Sequence, residues 1–256
     1  MTRILTAPTL PQAVRNGINA LAATQLQVDI APYTGMDEGD VIELFWNNCF
    51  AAARRVTSCK VGTPTHLRIP ESFVQDGLAR VHYQVMQIGH GPARSAVTTV
   101  RVKTNFPGGQ PSNLYNDENQ NLSPISLPET IRRYGVNGSQ VRRGIPLTIE
   151  PYLNMATGDA ITLRWGDVRV DLPKIQAKGV GLAVQVWVSS AVIIEAGDDC
   201  RLDVTYCILD RVGNNSRWAP ARTLNIAACS PQAPARPAGP ASTYQPRAPG
   251  SPCEPG

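Results

Sequence analysis

The sequence predicts an all-β fold of two tandem β-sandwich modules followed by a Pro-rich C-terminal tail, and three observations carry that expectation. The first is an internal duplication. Val28 to Trp46 laid on Leu147 to Trp165 without a gap keeps nine of 19 positions: Ile30, Pro32, Tyr33, Met36, Gly39, Asp40, Ile42, Leu44 and Trp46 recur as Ile149, Pro151, Tyr152, Met155, Gly158, Asp159, Ile161, Leu163 and Trp165. A repeat fixes architecture before any single element is read. The second is two-residue alternation inside the repeat, the period of a strand with one buried face. The third is a tail with proline at 231, 234, 237 and 240 and again at 246, 249, 252 and 255. That three-residue spacing matches a polyproline II helix.

In chain order, Met1 to Leu26 carries Arg3 and Arg15 but no continuous apolar core ending in a small-residue cleavage site. The segment therefore does not read as a secretory signal, and any export would run by a non-classical route. Thr9 to Leu21 has enough apolar residues to dock ahead of the first module. Pro32 cannot donate to a ladder, so an earlier edge strand should close there, and Pro151 does the same in the second copy. Gly39-Asp40 and Gly158-Asp159 then suit a turn, because Gly accepts positive φ and Asp bonds nearby amides. In Val41 to Trp46, Ile42, Leu44 and Trp46 share one face. Ile161, Leu163 and Trp165 do likewise, with Ala160, Thr162 and Arg164 outward.

Further strands are expected at Leu67–Ile69, Val97–Val102, Leu182–Val188, Ala191–Ile194 and Leu224–Ile226, all short and aliphatic or β-branched. A second matched pair, Val81, Tyr83, Val85 and Val204, Tyr206, Ile208, repeats the alternation downstream. Six or seven short strands per copy point to immunoglobulin-like β-sandwich domains. The expected division is a lead-in over 1–25, sandwich one over 26–106, a linker with a lead-in strand or short turn over 107–145, sandwich two over 146–228 and an extended tail over 229–256. Trp46, Trp165, Tyr83 and Tyr206 are the expected structural core. Tyr33 and Tyr152 should be packed at a corner rather than presented as ligand anchors.

Composition narrows the function classes. The 256 residues carry a net charge of +4, spread over dipeptides such as Arg54-Arg55, Arg132-Arg133 and Arg142-Arg143 rather than gathered on one face, which argues against nucleic acid as a partner. No apolar stretch is long enough to span a bilayer. Of six cysteines, Cys200 and Cys207 lie on one expected strand, about 23 Å apart at ~3.3 Å per residue, and cannot pair with each other. Either Cys49 with Cys59 or Cys229 with Cys253 could close a loop.

No metal, cofactor or catalytic residue is assigned. Asp37, Glu38 and Asp40 offer oxygens to a hard cation, but the second copy places Ala156 and Thr157 where Asp37 and Glu38 stand, so a shared turn explains more. His66, His82 and His90 all fall in the first copy, and no nucleophile turn accompanies them. Pro231-x-x-Pro234-x-Arg236 matches a docking peptide, although tether chemistry accounts for the tail as simply.

The pattern Pro-Tyr-x-x-Met-x-x-Gly-Asp-x-Ile-x-Leu-x-Trp, followed by Val-x-Tyr-x-Val, resembles tandem bacterial immunoglobulin-like repeat modules of uncharacterised surface-associated or secreted proteobacterial proteins. The resemblance implies spacer, adhesion or partner-binding roles without established chemistry. The expected function is a non-enzymatic binding or adhesion-type protein that presents loops to a protein or glycan partner. The alternative is a structural or adaptor component of a secreted assembly or toxin system. What survives in both copies is turn, edge and core chemistry, so function should lie where the copies differ.

Overall fold

The computed structural model describes residues 5–111 and 117–226. The Pro-rich tail, with Cys229, Cys253 and the Pro231 motif, lies outside the described residues. The first half folds as β1 (Gly17–Ile18), α1 (Ala20–Thr24), β2 (Gln27–Ile30), β3 (Val41–Trp46), β4 (Cys49–Arg55), β5 (Thr65–Arg68), β6 (Gly77–Met86), β7 (Ala93–Arg94) and β8 (Thr98–Val102). The second runs α2 (Glu129–Tyr134), α3 (Gly138–Arg143), β9 (Ile145–Ile149), β10 (Ala160–Trp165), β11 (Val168–Asp171), β12 (Val184–Val188), α4 (Ser190–Ala196), β13 (Asp199–Leu209), β14 (Asn215–Trp218) and β15 (Arg222–Ile226).

The pairing repeats with the sequence. In the first half β1-β8-β6-β3-β4 form the larger sheet, with β7 also on β6, and β2 pairs β5 in the smaller one. In the second, β11-β10-β13-β14 with β15 on β13 faces the pair β12-β9. Each half is thus an immunoglobulin-like sandwich, a large sheet over a two-stranded one, with its own core. One core gathers Val28, Ile30, Ile42, Leu44, Trp46 and Tyr83, and the other Leu147, Ile149, Ile161, Leu163, Trp165 and Tyr206. Alternation along β3 and β10 drives this: every second side chain faces the small sheet, and burying it out of water is the main favourable contribution.

The lead-in segments repeat as well, although their sequences do not. Leu5 bridges Ser95, Thr9 bridges Asp29, and β1 runs parallel to β8; in the second half Glu118 bridges Trp218, Ser126 bridges Thr148, and Val136 bridges Ile226. Residues 107–145, expected as a linker, accordingly place Leu122, Ile125, Ile131, Val136 and Val141 in the second core. Ile131 and Val141 enter that core from α2 and α3, while Ser126 and Val136 make strand-like bridges to Thr148 and Ile226. Asn137 and Gln140 form a reciprocal capping box at the start of α3, satisfying amides that a short helix would otherwise leave open. Ala191–Ile194, expected as a strand, is helical within α4. Its four apolar residues do not alternate. Ile193 is buried while Ile194 is exposed, and Gly197 closes the helix at φ 77°.

Between the halves the chain is tied by specific bonds. Lys103 Nζ lies 3.1 Å from Asp210 Oδ2. Asn214 Nδ2 donates to the Lys103 carbonyl at 2.8 Å and Asn214 Oδ1 accepts the Ala20 amide at 2.9 Å. Gly17 sits so close to the second half that a Cβ there would lie 2.6 Å from Val212 Cγ1, so only glycine allows this approach.

Candidate functional site

Inside the repeat, the Tyr and Asp serve the fold. Tyr33 Oη donates to Asp40 Oδ2 at 2.9 Å, and Tyr152 Oη donates to Asp159 Oδ2 at 3.0 Å. Both tyrosines are buried, as corner groups rather than ligand anchors. The Asp37 amide and Gln87 Nε2 also donate to the Asp40 carboxylate. Asp40 is therefore turned inward, not offered to a cation with Asp37 and Glu38. Among the described residues no group of three or more His, Cys, Asp or Glu side chains could hold a metal ion.

Trp46, Trp165, Tyr83 and Tyr206 are at most 2 % exposed. Tyr206 Oη donates to the Ser123 carbonyl at 2.9 Å, tying the late strand to the lead-in segment, and burial pushes its phenol well above the ordinary tyrosine value. The three histidines occupy separate settings. His66 Nδ1 lies 2.7 Å from Asp29 Oδ1 on the small sheet. His90 is in the exposed loop after β6. His82 stacks on Phe45 with ring centroids 5.0 Å apart. Burial, helped by Arg94 and Arg80, holds His82 below the ordinary imidazole value. Cys49 and Cys59 are free thiols, as are Cys200 and Cys207 on β13.

The most developed surface lies on the outer face of the second large sheet. The register of β10 and β11 sets Arg164 directly opposite Arg169. Like charges so placed repel, and Trp218 offsets the repulsion. The Arg164 guanidinium lies 4.9 Å and that of Arg169 5.8 Å from the indole centroid, where the negative face of the ring attracts a cation. Trp218 is aimed by an irregularity in the pairing of β13 and β14, between Cys207 and Leu209. There Arg217 takes φ 64°, held by its amide on Asn215 Oδ1 at 2.8 Å and by its carbonyl, which accepts Ser216 Oγ at 2.7 Å. Bulges commonly re-aim side chains in this way.

Together Arg169, Arg217, Trp218, Asn215, Asp117 and Cys207 border a depression of about 370 Å³. Its described lining carries two arginines and one aspartate beside an aromatic wall. Among the described residues that line it the one thiol is Cys207, which burial pushes up, against the pull of Arg169 and Arg164 and with the help of Asp171, and no histidine lies in this half. The arrangement is suited to gripping an anionic or planar group.

Sequence reasoning placed Arg164 outward but passed over Trp218. The signal was present, since the first copy carries Phe45 and His82 at the sheet positions of Arg164 and Thr205 and no Trp on β7. It was hidden because Arg169 and Trp218, though neighbours in space, are 49 residues apart in sequence.

No family model and no curated protein matches this sequence. Solved structures do. The chain is similar to a Ca²⁺-stabilised adhesin with which an Antarctic bacterium binds ice, at 14 % identity and TM-score 0.38 over 88 % of this chain and 49 % of that one. It is similar to fibronectin(III)-like modules of Clostridium thermocellum CbhA, at 8 % identity and TM-score 0.41 over 84 % and 90 %. It is also similar to the FN1–FN3 domains of chicken CNTN1, at 13 % identity and TM-score 0.38 over 88 % and 65 %. This chain spans about half the length of the adhesin structure it matches. The sandwich architecture itself stands on the strand pairing described above.

Proposed function

We propose that this chain is a non-enzymatic binding protein of the adhesion type, which presents the Trp218 face to a protein or glycan partner. The observation that carries the reading is the Arg164–Trp218–Arg169 layer, of which Trp218 and Arg169 border an open depression, a surface absent from the first copy although the underlying sheet is shared. Trp and Arg dominate the energetics of binding surfaces because they combine large apolar area with fixed polar geometry. In this reading the two repeating units are the segments that share a pairing scheme, 5–102 and 118–226.

The test is an unbiased screen of the full chain against glycans and cell-surface proteins, repeated with Trp218→Ala. The parent should capture a partner, and the variant should bind it about ten-fold or more weakly, the typical loss at a central Trp. A parent that captures nothing, or a variant that binds as the parent does, overturns the proposal. The alternative, a structural or adaptor component of a larger assembly, draws support from the bonded joint at Lys103, Asp210 and Asn214. It predicts stable co-purification with that assembly, unaffected by Trp218→Ala.

A further inference from the structure

A second basic surface lies at the joint between the sandwiches and is independent of Trp218. Arg15, Asn16 and Arg101 from the first half and Arg211 from the second line one groove of about 210 Å³, with Leu78 and Thr99. Among the described residues no acidic side chain lines it. The three arginines are exposed, and none forms an ion pair among the described residues. The acidic groups near the joint are already engaged. Asp210 is taken by Lys103 and Asn214, and Asp76 by Thr104 and Asn105.

Arg15 is also placed against local preference. Val14 and Gly17 exchange both backbone bonds, at 2.9 and 2.8 Å, and Arg15 and Asn16 between them have φ of 52° and 61°. That is the two-residue hairpin whose first position favours Asn, Asp or Gly. An arginine there is conformationally costly, and among the described residues its side chain makes no hydrogen bond or ion pair. The opposite wall is fixed: Gly17 admits Val212 at a distance no other residue would allow, and the stem of Arg211 lies across Gly158, 3.8 Å from where a Cβ would be.

We propose that this groove is an oxyanion-binding site that takes a sulfate or phosphate group. Guanidinium groups suit such ligands because their planar forks offer paired N–H donors to two oxygens at once. Because Arg211 comes from one sandwich and Arg15 and Arg101 from the other, an occupant bridges the two and fixes the joint. The ligand is a free ion or the same group carried on a polysaccharide.

The experiment uses the full chain at constant ionic strength. Melting is followed with sodium sulfate or phosphate replacing chloride, and binding of a heparin fragment and its desulfated form is followed by calorimetry. Sulfate should raise the melting midpoint of the parent beyond the general exclusion effect that kosmotropic salts exert on any protein. Arg15→Gly relaxes the turn and should keep or raise the midpoint in chloride, yet lose the specific rise and weaken anion binding by about ten-fold or more, the loss of one charge-assisted contact. Arg211→Gln should behave alike. Arg54→Gln, on the far edge strand β4, should not. Tighter binding of the heparin fragment than of free sulfate assigns the group to a sulfated chain, and equal binding assigns it to the free ion. The proposal is overturned if Arg15→Gly and Arg211→Gln respond to sulfate as the parent does, or if Arg54→Gln loses as much.

Discussion

Replacing Lys103 by methionine should destabilise the chain by about 2–3 kcal/mol, because it removes the cation that faces a buried carboxylate across the joint. The Lys103 and Asp210 side chains are 19 % and 0 % exposed and lie 3.1 Å apart. Removing one member of a buried pair commonly costs about 3–5 kcal/mol, since the other is left in a poorly solvating interior. The figure is lower here because Asp210 keeps the amides of Val212 and Asn214 and the Asn214 side-chain amide as donors. Methionine retains the apolar stem, so packing contributes little to the loss.

The duplication explains why Lys103 matters. In the first copy Gln87 donates to Asp40. The matching position in the second copy is Asp210, whose carboxylate cannot donate, and among the described residues Asp159 Oδ1 has no hydrogen-bond partner. Burial raises Asp159 above the ordinary aspartate value; the Ala156 amide, Lys103 and the Tyr152 hydroxyl pull it down, and Asp210 pushes it up. A carboxyl raised in the folded state binds its proton more tightly folded than unfolded. Its contribution is therefore largest below the ordinary aspartate value and is lost as pH rises toward the raised one. Without Lys103 that window extends upward, so the deficit of Lys103→Met should be smaller in acid and grow toward neutral pH. Urea denaturation of parent and variant from acid to neutral pH measures this, and Asp210→Asn added to Lys103→Met should recover part of the loss. A deficit below about 0.5 kcal/mol, the range of an ordinary surface change, or one that is flat with pH would refute the argument.

Two further outcomes follow from the same geometry. Tyr152→Phe should cost about 1–3 kcal/mol and exceed Tyr33→Phe, because Asp40 keeps Gln87 as a donor while Asp159, among the described residues, keeps only the Ala156 amide; denaturation of the two variants checks this, and equal or reversed losses would count against it. Among the four described cysteines, Cys207 should be alkylated slowest in the native chain, since it is half-buried and its thiol is pushed up by burial, whereas Cys49, Cys59 and Cys200 are exposed. Mass-resolved alkylation reads the order, and Cys207 reacting as fast as the others would refute it.

The strands β3 and β10 and the matched pair β6 and β13 could be read from the chain, because alternation is local and each buried side chain is two residues from the next. The Gly-Asp turn was legible for the same reason. The helix α4 was not, since a run of four apolar residues has no period of its own, and the closure of Gly197 had to be weighed against it. Apolar residues marked both lead-in segments as docking, but their shared pairing was not legible, because it is a set of backbone bridges that many side chains satisfy equally.

Residue spacing specifies a duplicated all-β chain, the inward faces of its strands and the buried Trp and Tyr positions. Those follow from spacing and from the free energy of removing apolar groups from water, which acts wherever the pattern occurs. The tertiary structure alone decided that Trp218 lies between two arginines, that Lys103 answers Asp210, and that Arg15, Arg101 and Arg211 share a groove. Electrostatic and aromatic contacts depend on distances of a few ångströms between residues far apart in the chain, and only the pairing of strands and the closure of the joint set those distances.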